Sequence, residues 1–275
     1  MHGFQHYAII QTSDLSSIDF SQIGYGQGAV NNTNGFGKAP TNNTIDFGEV
    51  CADSWSPETN LVGGTSFSNT KSIELDGMDA YVSISANSNL QISDTFTISH
   101  WVKFTSTSQM YVTNFANKYG TYVQNGYAYL VFRNLSNTQI TLQSTSTIND
   151  GNWHNIIVVK TTSTMAIYID GVLDANNTNG ATGITSTLSN AIGALFNGAL
   201  PFEGTIDEVG VWNSDQSSNA TAIGSTIPTD LSTYSPLSWW RCGDGDTAPT
   251  LTDNGSGSND GTMNNFSTFS TDVPT

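Results

Sequence analysis

Short alternating segments that end on paired turn residues constrain this chain more than any other feature. They run in fixed order: Ser72-Ile-Glu-Leu-Asp76-Gly77 leading to Tyr81-Val82, then Phe96-Thr-Ile-Ser-His-Trp101-Val102, Gly151-Asn-Trp153-His154, Ile167-Tyr-Ile-Asp170-Gly171, and Phe202-Glu-Gly204-Thr-Ile-Asp207-Glu208-Val-Gly-Val-Trp212. Phe96, Ile98, Val102 and Phe104 share one parity while Thr97, Ser99, Trp101 and Lys103 share the other, the period-two signature of a half-buried strand. Further strands are expected at 110–115, 128–133, 139–143, 153–160, 165–170 and 202–212. Asn125-Gly126, Asp150-Gly151, Asp170-Gly171 and Asn197-Gly198 separate several of them, and such pairs tolerate the positive φ of tight hairpins. One short helical turn at 219–224 is the sole helical candidate. The fold class expected is therefore all-β, an antiparallel two-sheet sandwich.

Composition bounds the partners. Only 11% of the 275 residues are charged, so the polar character comes from Asn, Ser, Thr, Gln and 26 glycines. Acids outnumber bases 23 to 7, giving a net charge of −16, which argues against a phosphate backbone and so against nucleic acid as partner. Five of the acids are Glu and the rest Asp; Asp suits turns and calcium-type oxygen ligation, and equally a soluble surface in a salty medium. Cys51 and Cys242 lack metal-ligand spacing and leave two alternatives, a bridge between the flanks of the motif region or two free thiols. The amino terminus has no basic stretch followed by a long apolar run, so the expectation is a chain that folds inside the cell that makes it, without membrane insertion.

Three regions follow. Residues 1–71 read as an irregular Gly/Asn/Thr-rich arm with apolar patches at 7–10 and 45–50; such a segment cannot build its own core and is expected to dock on the sandwich or on an assembly. Residues 72–213 carry the strands. Residues 214–275 begin as a polar link and end in Trp239-Trp-Arg241-Cys-Gly-Asp244-Gly-Asp246 and Asp253-Asn-Gly-Ser-Gly-Ser-Asn-Asp-Gly261-Thr262.

The ordered motifs of 72–213 resemble the LamG-like jelly rolls of the concanavalin A-like lectin/glucanase superfamily. The matching text is Leu75-Asp76-Gly77 with Tyr81-Val82, the Phe96 to Val102 strand, Trp153-His154, Tyr168-Ile-Asp170-Gly171, and Gly204-Thr-Ile-Asp207-Glu208-Val. In that family a Trp-x-x-Gly strand and an Asp-x-Ser-Gly-Asn segment often open the module, whereas here similar text lies at 240–243 and 253–262. The resemblance thus implies a carboxy-terminal segment that completes or extends the sandwich, by folding back as a permuted edge, by pairing with a neighbouring subunit, or by starting a second module.

The resemblance also brings the Asp76-Gly77 and Ile206-Asp207-Glu208 strands together, which makes Asp76 and Asp207 candidate ligands of a shared calcium ion; the competing reading is an Asp-Gly turn. Trp101, opposite in parity to the core set and near Tyr111, Tyr127 and Tyr129, is the candidate sugar-stacking residue. A glycosidase needs paired carboxylates on one strand face. The glucanase pattern Glu-x-Asp-x-x-Glu is absent, and adjacent Asp207 and Glu208 are expected on opposite faces. His2, His6, His100 and His154 are scattered, and no nucleophile context accompanies them.

The function expected is non-enzymatic: a virion structural protein, resembling the LamG-like modules of marine bacteriophage structural proteins, as capsid decoration protein or head or tail fibre component. Its partners are then other virion proteins, in an oligomeric or assembly-bound state at the particle surface. The alternative is a carbohydrate-binding adhesin, extracellular or on a cell surface and directed at host glycans; a glycoside hydrolase is a distant third.

Overall fold

The computed structural model describes residues 67–275. Its strands in chain order are β1 (Ile73–Asp76), β2 (Tyr81–Ile84), β3 (Phe96–Lys103), β4 (Met110–Phe115), β5 (Tyr119–Gln124), β6 (Tyr127–Arg133), β7 (Gln139–Thr147) and β8 (His154–Lys160). They continue as β9 (Met165–Ile169), β10 (Val172–Asn177), β11 (Asn190–Ile192), β12 (Glu203–Trp212), β13 (Ser238–Trp240), β14 (Thr250–Leu251) and β15 (Gly261–Asn264), with one short helix, α1 (Ala220–Ile223), after β12. One sheet has the order β1-β12-β3-β8-β9-β10, with β13 also paired to β12; the other has β14-β15-β2-β11-β4-β5-β6-β7. All ladders are antiparallel.

Turn chemistry sets the hairpins. Asn125 and Gly126 have φ of 52° and 82°, and Asp170 and Gly171 have 51° and 74°. Positive φ at both central residues is the twist-compatible two-residue connection, and these pairs join β5 to β6 and β9 to β10.

The inner faces of both sheets supply one core. Phe96, Ile98, Val102, Phe115, Leu130, Phe132, Val158 and Ile206 all belong to it. Each large side chain buried there contributes roughly 1.5–3 kcal/mol. The carboxy-terminal segment is part of the same core. Trp240 is fully buried, its ring centroid lies 6.3 Å from that of Phe115, and its indole N–H donates to the Asn259 carbonyl at 2.8 Å. β1 occupies one flank of β12 at Glu203–Ile206, and β13 occupies the next stretch at Val209–Val211. β15 pairs along β2, and Ser72 bridges Ser270. The carboxy-terminal strands therefore pair within both sheets of their own chain.

The segment after β12 is more than a polar link. Ala220, Ile223 and Leu231 pack with Ile157, Val159, Trp212 and Trp239 in a second apolar cluster on the outer face of the seven-stranded sheet. For that reason β3 is buried on both faces along nearly its whole length, where alternation alone indicates a half-buried strand. Residues 1–66, including Cys51 and the apolar patches at 7–10 and 45–50, lie outside the described residues. Cys242 is completely buried, and burial pushes its thiol pKa up.

Candidate functional site

The Asp207-Glu208 pair is the most charged feature of the interior. The ladder between β12 and β3 shifts register between Asp207 and Gly210, and Glu208 takes the left-handed φ of 48°. This bulge overturns the expectation of opposite faces, because one extra residue reverses the alternation. Both carboxylates enter one cluster, 0% and 2% exposed. Asp207 accepts from the Asn69 side-chain amide and from the Glu208 backbone N–H, each at 2.8 Å. Glu208 accepts from the Trp239 indole N–H and from Arg241 Nε at 3.2 Å. Burial raises the Asp207 pKa well above the ordinary carboxylate range and that of Glu208 to about 7. Arg241 also straps residues 67–71: it donates to the Ser68 carbonyl at 2.6 Å and stands 4.7 Å from the Phe67 ring centroid. Asp244 accepts from the Thr70 and Lys71 amides at 2.8 and 3.3 Å. These oxygens are occupied and sealed, so the pair cannot flank a glycosidic bond in this arrangement.

Asp76 does not join Asp207. It pairs across the ladder with Glu203, four residues before Asp207, a separation of roughly 13 Å along the strand. Its carboxylate instead accepts from the backbone amides of Met78, Asp79 and Ala80 at 2.9, 3.3 and 3.3 Å, which lowers its pKa. The shared calcium expected at Asp76 and Asp207 therefore has no geometry here, and the turn accounts for Asp76. Among the described residues no group of three or more His, Cys, Asp or Glu side chains is arranged to hold a metal ion.

Trp101 lies on β3 between Asp207 of β12 and Asn155 of β8, on the outer face of the seven-stranded sheet. It is 4% exposed. The open stacking face expected of it is absent. His154 takes both Asp170 and Asp150, at 2.8 and 3.2 Å, and the Asp170 hydrogen bond raises its pKa. His100 is fully buried beside the Thr121 hydroxyl at 2.8 Å, and burial lowers its pKa to about 3.

On the outer face of the eight-stranded sheet aromatic residues gather. Tyr111 on β4, Tyr122 on β5 and Tyr129 on β6 form a row across three adjacent strands, because Tyr111 pairs with Tyr122 and Tyr122 with Tyr129. Tyr122 and Tyr129 stack at 4.4 Å with 6° between planes, and Tyr111 and Tyr122 meet at 5.4 Å with 37°. Tyr111 and Tyr122 are nearly covered while Tyr129 is half-buried; Leu195 and Val131 complete the cluster. Beside the row is a shallow dimple, with room for about one water, lined by Tyr111, Asn114, Asn117, Lys118, Arg133 and Gln139, among others. Gly120 lets the strand run flat at this point: a Cβ there meets the Thr113 carbonyl oxygen at 2.2 Å. Next to the rows stand Gln139, Thr141 and Gln143 of β7, all exposed. Apolar ring surface bordered by amide, hydroxyl and cationic groups suits a ligand that is itself amphipathic.

The sequence grouped Tyr111, Tyr127 and Tyr129 with Trp101, whereas Trp101 lies on the other sheet. The same grouping missed Tyr122, because the glycine in Tyr119-Gly-Thr-Tyr-Val-Gln124 interrupts the apolar pattern of β5. Lys118, Asn117 and Arg133 converge through the hairpins β4–β5 and β6–β7, a placement no local spacing signals.

The geometry agrees with comparisons to known proteins. The Laminin_G_3 family model, described as the Concanavalin A-like lectin/glucanases superfamily, matches residues 76–221. No curated protein matches the sequence. Among solved structures, a "putative carbohydrate binding protein" of Bacteroides ovatus is similar at a TM-score of 0.61 and 17% identity, over 76% of this chain and 62% of that one. The mouse laminin alpha1 chain, domains LG4-5, gives 0.43 and 14%, over 52% and 41%. The binding domain of Paraclostridial Mosquitocidal Protein 1 gives 0.45 and 13%, over 60% and 49%. This chain thus spans less than two thirds of the length of each. With its family match covering more than half of the 275 residues, the chain belongs to the concanavalin A-like lectin/glucanase superfamily, as a laminin G-type jelly roll.

Proposed function

We propose that this chain is a non-enzymatic carbohydrate-binding module that uses the outer face of its eight-stranded sheet to attach to glycans on a surface. One observation carries the reading: half-buried Tyr129 continues the row of Tyr111 and Tyr122 to the surface, beside the exposed Gln139, Thr141 and Gln143 of β7. Stacked tyrosines offer flat apolar area at low side-chain entropy cost, with hydrogen-bonding groups at the rim to fix a ligand's orientation. The fold likeness to a protein named for carbohydrate binding supports the same choice. The sealing of Asp207 and Glu208 supports binding without catalysis.

Such a module acts as an adhesin, extracellular or at a cell or particle surface. No helix among the described residues is long and apolar enough to cross a membrane. The more specific virion role, as capsid decoration or head or tail fibre component, rests on the resemblance to phage LamG-like modules, on the acidic composition and on the arm at 1–71, most of which lies outside the described residues, and the comparisons lend it no support. Glycan attachment is therefore the leading reading.

The test is an oligosaccharide array probed with the chain and with Tyr129→Ala. Binding to a defined set of glycans that the substitution removes, with the melting temperature unchanged, is the expected outcome. A folded chain silent on all glycans contradicts the proposal.

A further inference from the structure

Among the described residues one sheet ends at β10 and the other at β7, and the two edges meet on one side of the sandwich, where Asp174 of β10 reaches Thr145 and Ser146 of β7. β7 is the more exposed to growth. Its nine residues, Gln139-Ile-Thr-Leu-Gln-Ser-Thr-Ser-Thr147, hold no charge, proline or glycine, and an uncharged Gln- and Thr-rich edge of this kind is a template for pairing with another strand. Gln139, Thr141, Gln143 and 145–147 are all exposed.

One carboxylate closes this edge. Both strands bulge where they meet: Asp174 is the extra residue between Leu173 and Ala175 on β10, and on β7 the residues 144–146 oppose Ala128 alone. Ser144 Oγ accepts from the Ala128 N–H at 3.0 Å and donates to the Ser146 carbonyl at 2.8 Å, which fixes the bulge while the next two amides turn to β10. Asp174 takes both. The Thr145 N–H donates to Oδ2 and the Ser146 N–H to Oδ1 at 3.2 Å, and the Thr145 hydroxyl donates to the Asp174 backbone carbonyl at 3.1 Å. Partial burial pushes the Asp174 pKa up, but these hydrogen bonds outweigh it and hold the pKa below its ordinary value. The cap is therefore ionised at neutral pH, and Asp174 is the sole charged residue on either edge strand.

We infer that Asp174 is an edge guard: by capping the Thr145 and Ser146 amides it keeps β7 from adding to β7 of a second copy of this chain. A two-fold antiparallel pair of β7 strands opposes Thr and Gln side chains and no like charges, so a second copy is the partner that the bare edge fits. A charge turned in at a bulge is a general means by which edge strands resist such growth.

The experiment compares the natural full chain with Asp174→Ala by light scattering over a concentration series. The mass of the variant is expected to rise with concentration to at least double that of the natural chain. Adding Gln143→Lys, which sets like charges against each other at the middle of the paired strands, is expected to restore the natural mass. A folded Asp174→Ala chain whose mass matches the natural one throughout overturns the inference, and so does association that Gln143→Lys leaves in place. Hydrogen exchange of the natural chain tests the cap however the variant folds: the Thr145 and Ser146 amides are expected to exchange slowly, and exchange at the rate of an unstructured peptide overturns the guard.

Discussion

The Trp239 indole N–H donates to Glu208 Oε2, and this contact joins the carboxy-terminal strand β13 to the bulge of β12 across a cluster sealed from water. Because Arg241 holds the other Glu208 oxygen and also the Ser68 carbonyl, one carboxylate coordinates three separate parts of the chain.

The pH dependence follows from burial. An unfolded glutamate releases its proton near 4.5, whereas Glu208 in the fold does so near 7. Below 4.5 both states hold the proton and the contribution is at its most favourable. As pH rises from about 4.5 to 7 only the unfolded state ionises, so stability falls, by on the order of 3 kcal/mol from this group. Asp207, also raised, acts in the same direction. Urea unfolding across this window is expected to show declining stability in the natural chain and a shallower decline in Glu208→Gln. Equal slopes in the two proteins contradict the assignment.

Removal of everything after Pro236 is expected to abolish cooperative folding. Trp240 and Met263 leave the core, β2 loses its β15 partner, and Glu208 loses both of its side-chain donors. A sharp thermal transition by circular dichroism in the truncated chain contradicts the closure of the sandwich by its own tail.

Trp101→Ala tests a buried role against a binding role. At 4% exposure the substitution leaves a large void, costing about 3–5 kcal/mol, while the fraction that stays folded keeps its glycan affinity. Lost affinity at unchanged stability restores Trp101 to a contact surface.

Asp76 behaves as a turn residue. Its three amide contacts tie the turn between β1 and β2, so Asp76→Ala is expected to lower the melting temperature, and chelation with EDTA to leave it where it was. A drop of several degrees on chelation reinstates a structural ion.

Much of the fold is legible in the sequence because two physical signals agree. Alternation places Phe96, Ile98 and Val102 inward, and Asn125-Gly126 and Asp170-Gly171 demand hairpins. What stays hidden depends on long-range structure. The cover over Ile157 and Val159 comes from residues whose apolar members, Ala220, Ile223 and Leu231, are spread among polar ones. The bulge at Glu208 requires a left-handed φ that Asp-Glu-Val does not advertise. The dimple brings together Lys118 and Arg133, which share a surface only because β5 and β6 pair in register.

The central claim is that glycans bind the row of Tyr111, Tyr122 and Tyr129, and two-dimensional NMR of ring-labelled tyrosine tests it most directly. The chain has ten tyrosines. On titration with an array-positive oligosaccharide, shifts concentrated in these three rings, with Tyr81, Tyr168 and Tyr234 unmoved, are the result the account requires. Saturable binding that leaves all three unshifted contradicts it.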